Sequence, residues 1–279
     1  MVNLFTDISF RTGRLVTKTY STSFSTAVLL LDREIRRGIY SIYGFVRLAD
    51  EIVDSFHDFD KAHLLSKFED DYYDAASKGI SLNPVLNAFV ITVRKYNIPD
   101  DLIRSFLLSM KIDLVKNDHS TRQETDDYIY GSAEVVGLMC LKVFLNGDDE
   151  KFEELKKPAA RLGAAFQKVN FLRDIKSDTL ELNRNYFHNL TGKVFDETTK
   201  KEIIDEIEAD FESAFEGIPR LPGNARTGVL LAYYYYRRLL RKITLTPAEK
   251  LLETRIRVND FNKALLFLKA ALASKLNLI

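Results

Sequence analysis

Two short ladders of oxygen-bearing residues carry most of the chemistry this sequence can offer. Between Gln167 and Asp178, Asn170, Asp174 and Asp178 stand four residues apart. On an α-helix that spacing puts all three on one face, each about 6 Å beyond the last. Between Arg47 and Asp54 the pattern recurs with Asp50 and Asp54. One such pair is ordinary on a solvated helix face. Two pairs, each set among apolar residues and each beside an arginine (Arg47, Arg173), are hard to explain as packing and point to two jaws that hold metal and phosphate. Mg²⁺, or Mn²⁺ in its place, takes oxygen ligands and commonly binds through one or two carboxylates plus substrate phosphates. Metal so held would neutralise a diphosphate and make it a better leaving group. The cation left behind would need a dry, apolar pocket, where each Tyr or Phe face contributes about 0.5–2 kcal/mol. Neither ladder holds His or Cys, so zinc is excluded, and no Gly-rich Lys-Ser/Thr stretch offers a P-loop.

The elements that must position these ladders read as helices almost throughout, with few stretches of period two. A first helix ends over Leu15–Tyr20, and Ser21-Thr22-Ser23-Phe24-Ser25 reads as a polar break. A long helix spans about 32–56 and carries the first ladder. A charged helix covers 60–78, and Asn83-Pro84 opens the next with Pro84 in its first turn. Residues 103–115 repeat apolar residues at helical spacing. Thr125 or Asp126 reads as the cap of a helix running through Tyr130 to Phe144. The helix over about 149–176 carries the second ladder. Residues 179–199 read as irregular, 202–215 and 225–242 as helices, and Pro247 as the start of a last helix reaching about Ser274. With no linker or repeat, residues 1–279 form one all-helical domain.

Composition bounds the setting. Of 279 residues 46% are hydrophobic, enough for a sizeable core, and 40 basic residues balance 40 acidic ones, so no overall basic field suggests nucleic acid. The single cysteine, Cys140, rules out a disulfide framework. The first residues lack a signal-peptide pattern, and no uncharged apolar run reaches the roughly 18 residues that would span a bilayer. The expectation is a cytoplasmic protein.

Several motifs, in this order, resemble the squalene/phytoene synthase family of head-to-head prenyl transferases, most closely its bacterial phytoene synthases. They are Tyr-Ser-Thr-Ser-Phe-Ser at 20–25, Ile-Tyr-Gly-Phe-Val-Arg-Leu-Ala-Asp-Glu-Ile-Val-Asp at 42–54, Tyr-Gly-Ser-Ala-Glu-Val-Val-Gly at 130–137, Gln-Lys-Val-Asn-Phe-Leu-Arg-Asp at 167–174, and Tyr-Tyr-Arg-Arg-Leu-Leu at 235–240. The resemblance implies the all-α isoprenoid (terpenoid) synthase fold with a central hydrophobic cavity. It implies condensation of two geranylgeranyl diphosphates to phytoene through prephytoene diphosphate, without NADPH, in carotenoid biosynthesis. The alternative within the same chemistry is dehydrosqualene or squalene synthesis from two farnesyl diphosphates. A non-catalytic member, acting as a binding or assembly protein, is expected to have broken ladders, and both are intact here. The lipophilic substrate and product add an expectation of peripheral contact with the inner face of the membrane.

Carried over by motif, the resemblance assigns Asp50, Asp54, Asn170, Asp174 and Asp178 to Mg²⁺. It assigns Tyr43, Arg47, Arg173, Ser21, Ser23, Phe24 and Tyr236 to the diphosphates and their flap, and Tyr130 and Gln167 to the reaction centre. Arg184 falls in the loop after the second motif, and Arg255 or Arg257 is a further phosphate candidate. Two departures stand out. Glu51 replaces the family's frequent second Asp and is expected to stay out of direct coordination. Glu134 replaces a frequent Gly and should face away from the cavity or pair with an arginine. The four histidines are scattered and read as non-catalytic, and Cys140 reads as core. One or two of Tyr233–Tyr236 should face the cavity. Ala133, Gly137, Gly163 and Ala164 read as close helix packing. Arg237, Arg238, Arg241 and Lys242 read as a solvated face, with anionic lipid or phosphate as the alternative.

Overall fold

The computed structural model describes residues 2–116, 118–181, 184–259, 265–266 and 269–270. Among them the chain is helical apart from turns, loops and one isolated bridge between Asp118 and Asn185. The order is α1 (Val2–Tyr20), α2 (Thr22–Val28), α3 (Arg33–Ser55), α4 (Lys61–Lys78), α5 (Pro84–Tyr96) and α6 (Asp100–Asp113). Then come α7 (Arg122–Ile129), a π turn (Tyr130–Glu134), α8 (Val135–Phe144), α9 (Asp149–Lys176) and a second π turn (Ser177–Glu181). The chain continues with α10 (Glu197–Phe215), α11 (Gly223–Thr244) and α12 (Ala248–Leu251), with single 3₁₀ turns at His188–Leu190 and Ile218–Arg220.

Three boundaries differ from the sequence reading, each for a local reason. The hydroxyl-rich stretch after Tyr20 breaks the helix only at Ser21, and α2 begins at once at Thr22. Ser21 caps α2 by accepting from the Phe24 N–H at 3.3 Å, and the next hydroxyls turn back on carbonyls, Ser25 Oγ and Thr26 Oγ1 both donating to Thr22 O. Helix α7 starts at Thr121, not at Thr125 or Asp126, because Thr121 and Glu124 form a reciprocal capping box. The last helix is interrupted: α12 ends at Leu251 and residues 254–259 are irregular, whereas 265–266 and 269–270 are again helical; residues 260–264, 267–268 and 271–274 of the expected run to Ser274 lie outside the described residues.

Packing divides the core around the two ladder helices. Helix α3 anchors one apolar cluster with α4, α5, α6 and α8, centred on Phe45. Phe45 is fully buried and stacks on Phe89 at 3.9 Å between centroids, with Phe68, Tyr72 and Phe106 within 5.7 Å. Burying one such ring stabilises the fold by about 1.5–3 kcal/mol. Helix α9 anchors the second cluster with α10 and α11, through Val169, Leu172, Ile207, Phe211 and Leu239. A cavity of about 730 Å³ lies between the two, lined by residues of both helices. Pro158 lies inside α9 without ending it, and Gly217 lets the turn before α11 close onto that proline ring.

Candidate active site

Both ladders face the cavity. Asp50 and Asp54 line it from the C-terminal part of α3, and Asn170, Asp174 and Asp178 line it from α9 and the π turn that follows. Burial first, then repulsion from Asp54, pushes the Asp50 carboxyl up to about 7. Burial and Asp174 do the same to Asp178, also to about 7. The cavity thus gathers all four ladder aspartates in its lining.

Arginines occupy part of that charge. Arg184, from the loop after α9, donates to Asp54 at 2.9 Å and so ties the second half of the molecule to α3. Asp174 accepts from Arg173 Nε at 3.0 Å and from Arg255 Nη2 at 3.2 Å. Burial opposes the Arg184 charge, but Tyr186 and Asp54 outweigh it and hold the guanidinium protonated. Among the described residues no group of three or more His, Cys, Asp or Glu side chains stands ready to hold a metal by itself. The donor set nonetheless suits a hard divalent ion: it is all oxygen and converges on one cavity. Asp50, Asp54, Asn170, Asp174 and Asp178 would hold it.

The other assigned residues divide. Ser21, Phe24, Tyr43, Gln167, Arg173 and Tyr236 all line the cavity. Phe24 stacks on Tyr43 at 5.1 Å, and burial raises the Tyr43 hydroxyl to about 12, so it stays a neutral donor. Of the four tyrosines of α11, Tyr235 and Tyr236 reach the cavity, and the Tyr236 hydroxyl donates to Asn170 Oδ1 at 3.3 Å. Arg47 is not part of the lining; it lies over the Tyr20 ring at 4.4 Å and pairs with Glu51. That pairing also keeps Glu51 off the lining. The Ser23 side chain lies outside the described residues.

Tyr130, assigned to the reaction centre by motif, is not among the residues that line the cavity. It is 38% exposed, at the start of the π turn, and Tyr128 lines the wall instead. Tyr128 brings a partner that the motifs did not contain: Asp113, at the end of α6. The Tyr128 hydroxyl donates to Asp113 Oδ2 at 2.7 Å, while Oδ1 is buried without a partner. Burial pushes the Asp113 carboxyl up to about 7. Tyr186 stacks on Phe171 at 4.3 Å and on Tyr128 at 5.2 Å, so one wall of the cavity is a continuous aromatic stack. Glu134 pairs with Arg161 at 3.8 Å and is not part of the lining, as its departure from the family pattern required. The deeper lining is apolar and small, including Ala133, Val136, Gly137, Cys140, Gly163 and Gly228. Ala164 is buried core, and no histidine is among the cavity-lining residues described.

With this geometry in hand, the chain can be set beside known proteins. Residues 17–188 match the family described as squalene/phytoene synthase, and the chain belongs to that family. It is 28% identical over 260 residues to a phytoene synthase of Arthrospira platensis, covering 84% of each chain. It is 27% identical over 200 residues to a 4,4'-diapophytoene synthase of Staphylococcus haemolyticus, covering 70% of this chain and 66% of that one. Against phytoene synthase 2 of Oryza sativa subsp. japonica, a chloroplastic protein, identity is 29% over 86% of this chain, which spans 64% of that relative. A solved dehydrosqualene synthase superposes with a TM-score of 0.83 at 22% identity, over 97% of this chain and 98% of that one. The fold is the all-α isoprenoid synthase fold. No helix among the described residues is long and apolar enough to cross a membrane.

Proposed function

We propose that the protein is a prenyltransferase that joins two molecules of geranylgeranyl diphosphate head to head and releases diphosphate, forming phytoene for carotenoid synthesis. The observation that carries this reading is the pairing of the two carboxylate ladders across the mouth of one apolar, aromatic-walled cavity. Mg²⁺ held by Asp50, Asp54, Asn170, Asp174 and Asp178 would supply positive charge to the diphosphates and ease their departure. The remaining chemistry falls to the chain's own residues. Arg173, Arg184 and Arg255 can exchange their carboxylate partners for phosphate oxygens as a diphosphate enters. Ser21 and the neutral hydroxyls of Tyr43 and Tyr236 donate to the same group.

One prenyl diphosphate ionises at its allylic C–O bond. The double bond of the second attacks the resulting cation, and loss of a proton closes the cyclopropylcarbinyl diphosphate, prephytoene diphosphate. A second ionisation, rearrangement and proton loss give the triene, and no reductant enters the balance. The stacked faces of Phe171, Tyr186 and Tyr128 offer electron density to these cations, and the apolar lining excludes the water that would quench them. A second reading keeps the mechanism and exchanges the substrate for farnesyl diphosphate. The Staphylococcus haemolyticus relative and the dehydrosqualene synthase of matching fold favour it.

Incubation of the protein with Mg²⁺ and geranylgeranyl diphosphate, and separately with farnesyl diphosphate, both without NADPH, tests the proposal. A C40 hydrocarbon with a triene chromophore in the first tube is expected. A C30 product only in the second tube would transfer the reading to farnesyl diphosphate. Folded protein that makes neither would overturn both.

A further inference from the structure

Asn185 fastens two short stretches of chain to each other. Its carbonyl oxygen accepts from the His119 backbone N–H at 3.0 Å, and its Nδ2 donates to Asp118 Oδ1 at 3.0 Å. Its Oδ1 accepts from the Phe187 N–H at 3.1 Å. The clasp joins residues 118–120, which lead into α7, to residues 184–187, which follow the second ladder. Two of the fastened residues face the cavity. Arg184 donates to Asp54 at 2.9 Å and to the Tyr186 hydroxyl at 3.3 Å, and Tyr186 belongs to the aromatic wall.

His119 is the unusual member of this clasp. It is 1% exposed, and neither ring nitrogen makes a hydrogen bond among the described residues. A neutral imidazole carries one donor and one acceptor, and a buried polar atom without a partner is costly. What the ring does have is contact through its faces. It packs on Tyr128 at 4.6 Å and on Tyr186 at 5.8 Å between centroids, 32° and 22° from parallel. Tyr128 and Tyr186 stack on each other at 5.2 Å. Two of these three rings line the cavity, and His119 stands behind them, outside the lining. The imidazole therefore serves as a flat plate. Burial, then Lys116, lowers its pKa, against Glu124 and Asp118. Besides these groups the ring faces Tyr128 and Tyr186, with Asp113 and Arg184 one contact further on. A proton on the ring would bury a cation behind the wall and weaken the packing that holds the loop.

We propose that His119 is a positioning residue: its flat ring, set behind Tyr128 and Tyr186, and its backbone bond to Asn185 fix where the loop presents Arg184 to an entering diphosphate. His119 touches no reacting group; it acts through Tyr186, which shares a hydrogen bond with Arg184. The inference rests on the reading of the cavity as a diphosphate site, but not on which hydrocarbon is made there.

Thermal titration of the full chain with inorganic diphosphate at fixed Mg²⁺ reads the placing of Arg184 without any turnover. His119→Ala should raise the diphosphate needed for half the shift about tenfold. His119→Phe keeps the plate and should titrate like wild type, because the nitrogens it loses had no partners. On an Arg184→Met background, His119→Ala should add little further loss, since the group it positions is gone. A merely structural role would leave the two losses additive. Below about pH 6.5 wild type should need more diphosphate than His119→Phe, and above it the two should agree. That comparison decides the matter if the alanine variant does not fold. Wild-type titration by His119→Ala, additive losses, a phenylalanine variant as weak as the alanine one, or no response in wild type would each overturn the proposal. Geranylgeranyl and farnesyl diphosphate supplied in parallel separate the two readings. No hydrocarbon beside an intact coupling of His119 to Arg184 would sink only the proposed reaction, and hydrocarbon without that coupling only this inference.

Discussion

Asp50 is asked to be a carboxylate in a place that penalises one. Burial and Asp54 raise its pKa to about 7, against roughly 3.9 in an unfolded chain. Between those values the folded protein holds a proton that the unfolded chain has released, so metal-free protein loses stability as pH rises through this window. Asp50→Asn fixes the uncharged form. In the presence of a chelator the variant should be about 1–3 kcal/mol more stable than wild type at pH 7.5, with the gap closing by about pH 4. Thermal melts across pH measure this. The same variant should lose product formation by about 10³-fold or more. A variant that melts lower at pH 7.5, or keeps its turnover, would contradict the role given to Asp50. Tyr128 and Asp113 behave differently. Tyr128→Phe removes the one partner of a buried carboxyl whose other oxygen is already unpaired, and should cost about 1–3 kcal/mol. Asp113→Asn keeps an acceptor for that hydroxyl and should cost clearly less; equal losses in urea titrations would show that the hydrogen bond does not set the energetics.

Helix α9 must hold its ladder in register against two neighbours, and the contacts that do so differ on its two sides. Toward the π turn, Gly163 lies so near that an added Cβ would stand 2.7 Å from the Ala133 carbonyl oxygen. Gly163→Ala has to push that wall of the cavity outward, a loss of about 1–3 kcal/mol in denaturant unfolding. Toward α10, Lys168 and Asp210 form a buried pair at 2.8 Å. The ladder helices themselves were legible in the sequence, because α3 and α9 are long and carry their Asp residues at helical spacing. The glycine at 163 was legible as close packing. Three things were not. Ser21–Ser25 read as a break because hydroxyls favour caps and turns, yet the same groups also bond back along α2. Tyr130 was assigned to the reaction centre by motif alone, whereas the side chain that lines the cavity is that of Tyr128, two residues earlier on α7. Asp113 is a lone acid at the end of an amphipathic helix, indistinguishable from a solvated one until Tyr128 is seen to meet it across fifteen residues of chain.

At the scale of the molecule, the cavity closes between two core clusters whose charged link at the mouth runs from Arg184 to Asp54. With Asp174 also held by Arg173 and Arg255, two of the four ladder aspartates are already neutralised by arginines. A divalent ion arriving alone must displace those guanidiniums into water. A diphosphate arriving with it gives the arginines new partners and frees the carboxylates for metal. The two ligands should therefore bind with positive coupling, each raising the other's affinity by the same factor. Thermal shifts with Mg²⁺ alone, inorganic diphosphate alone and both together measure it. Either ligand alone should move the transition little. Together, at about a hundred times their joint dissociation constant, they should add about 2.7 kcal/mol of stability. Arg184→Met should lower the response to both together while raising the small response to Mg²⁺ alone, since Asp54 is then free. Simple addition of the two separate shifts would mean that the arginines do not gate the ladders, and that the carboxylates take metal directly.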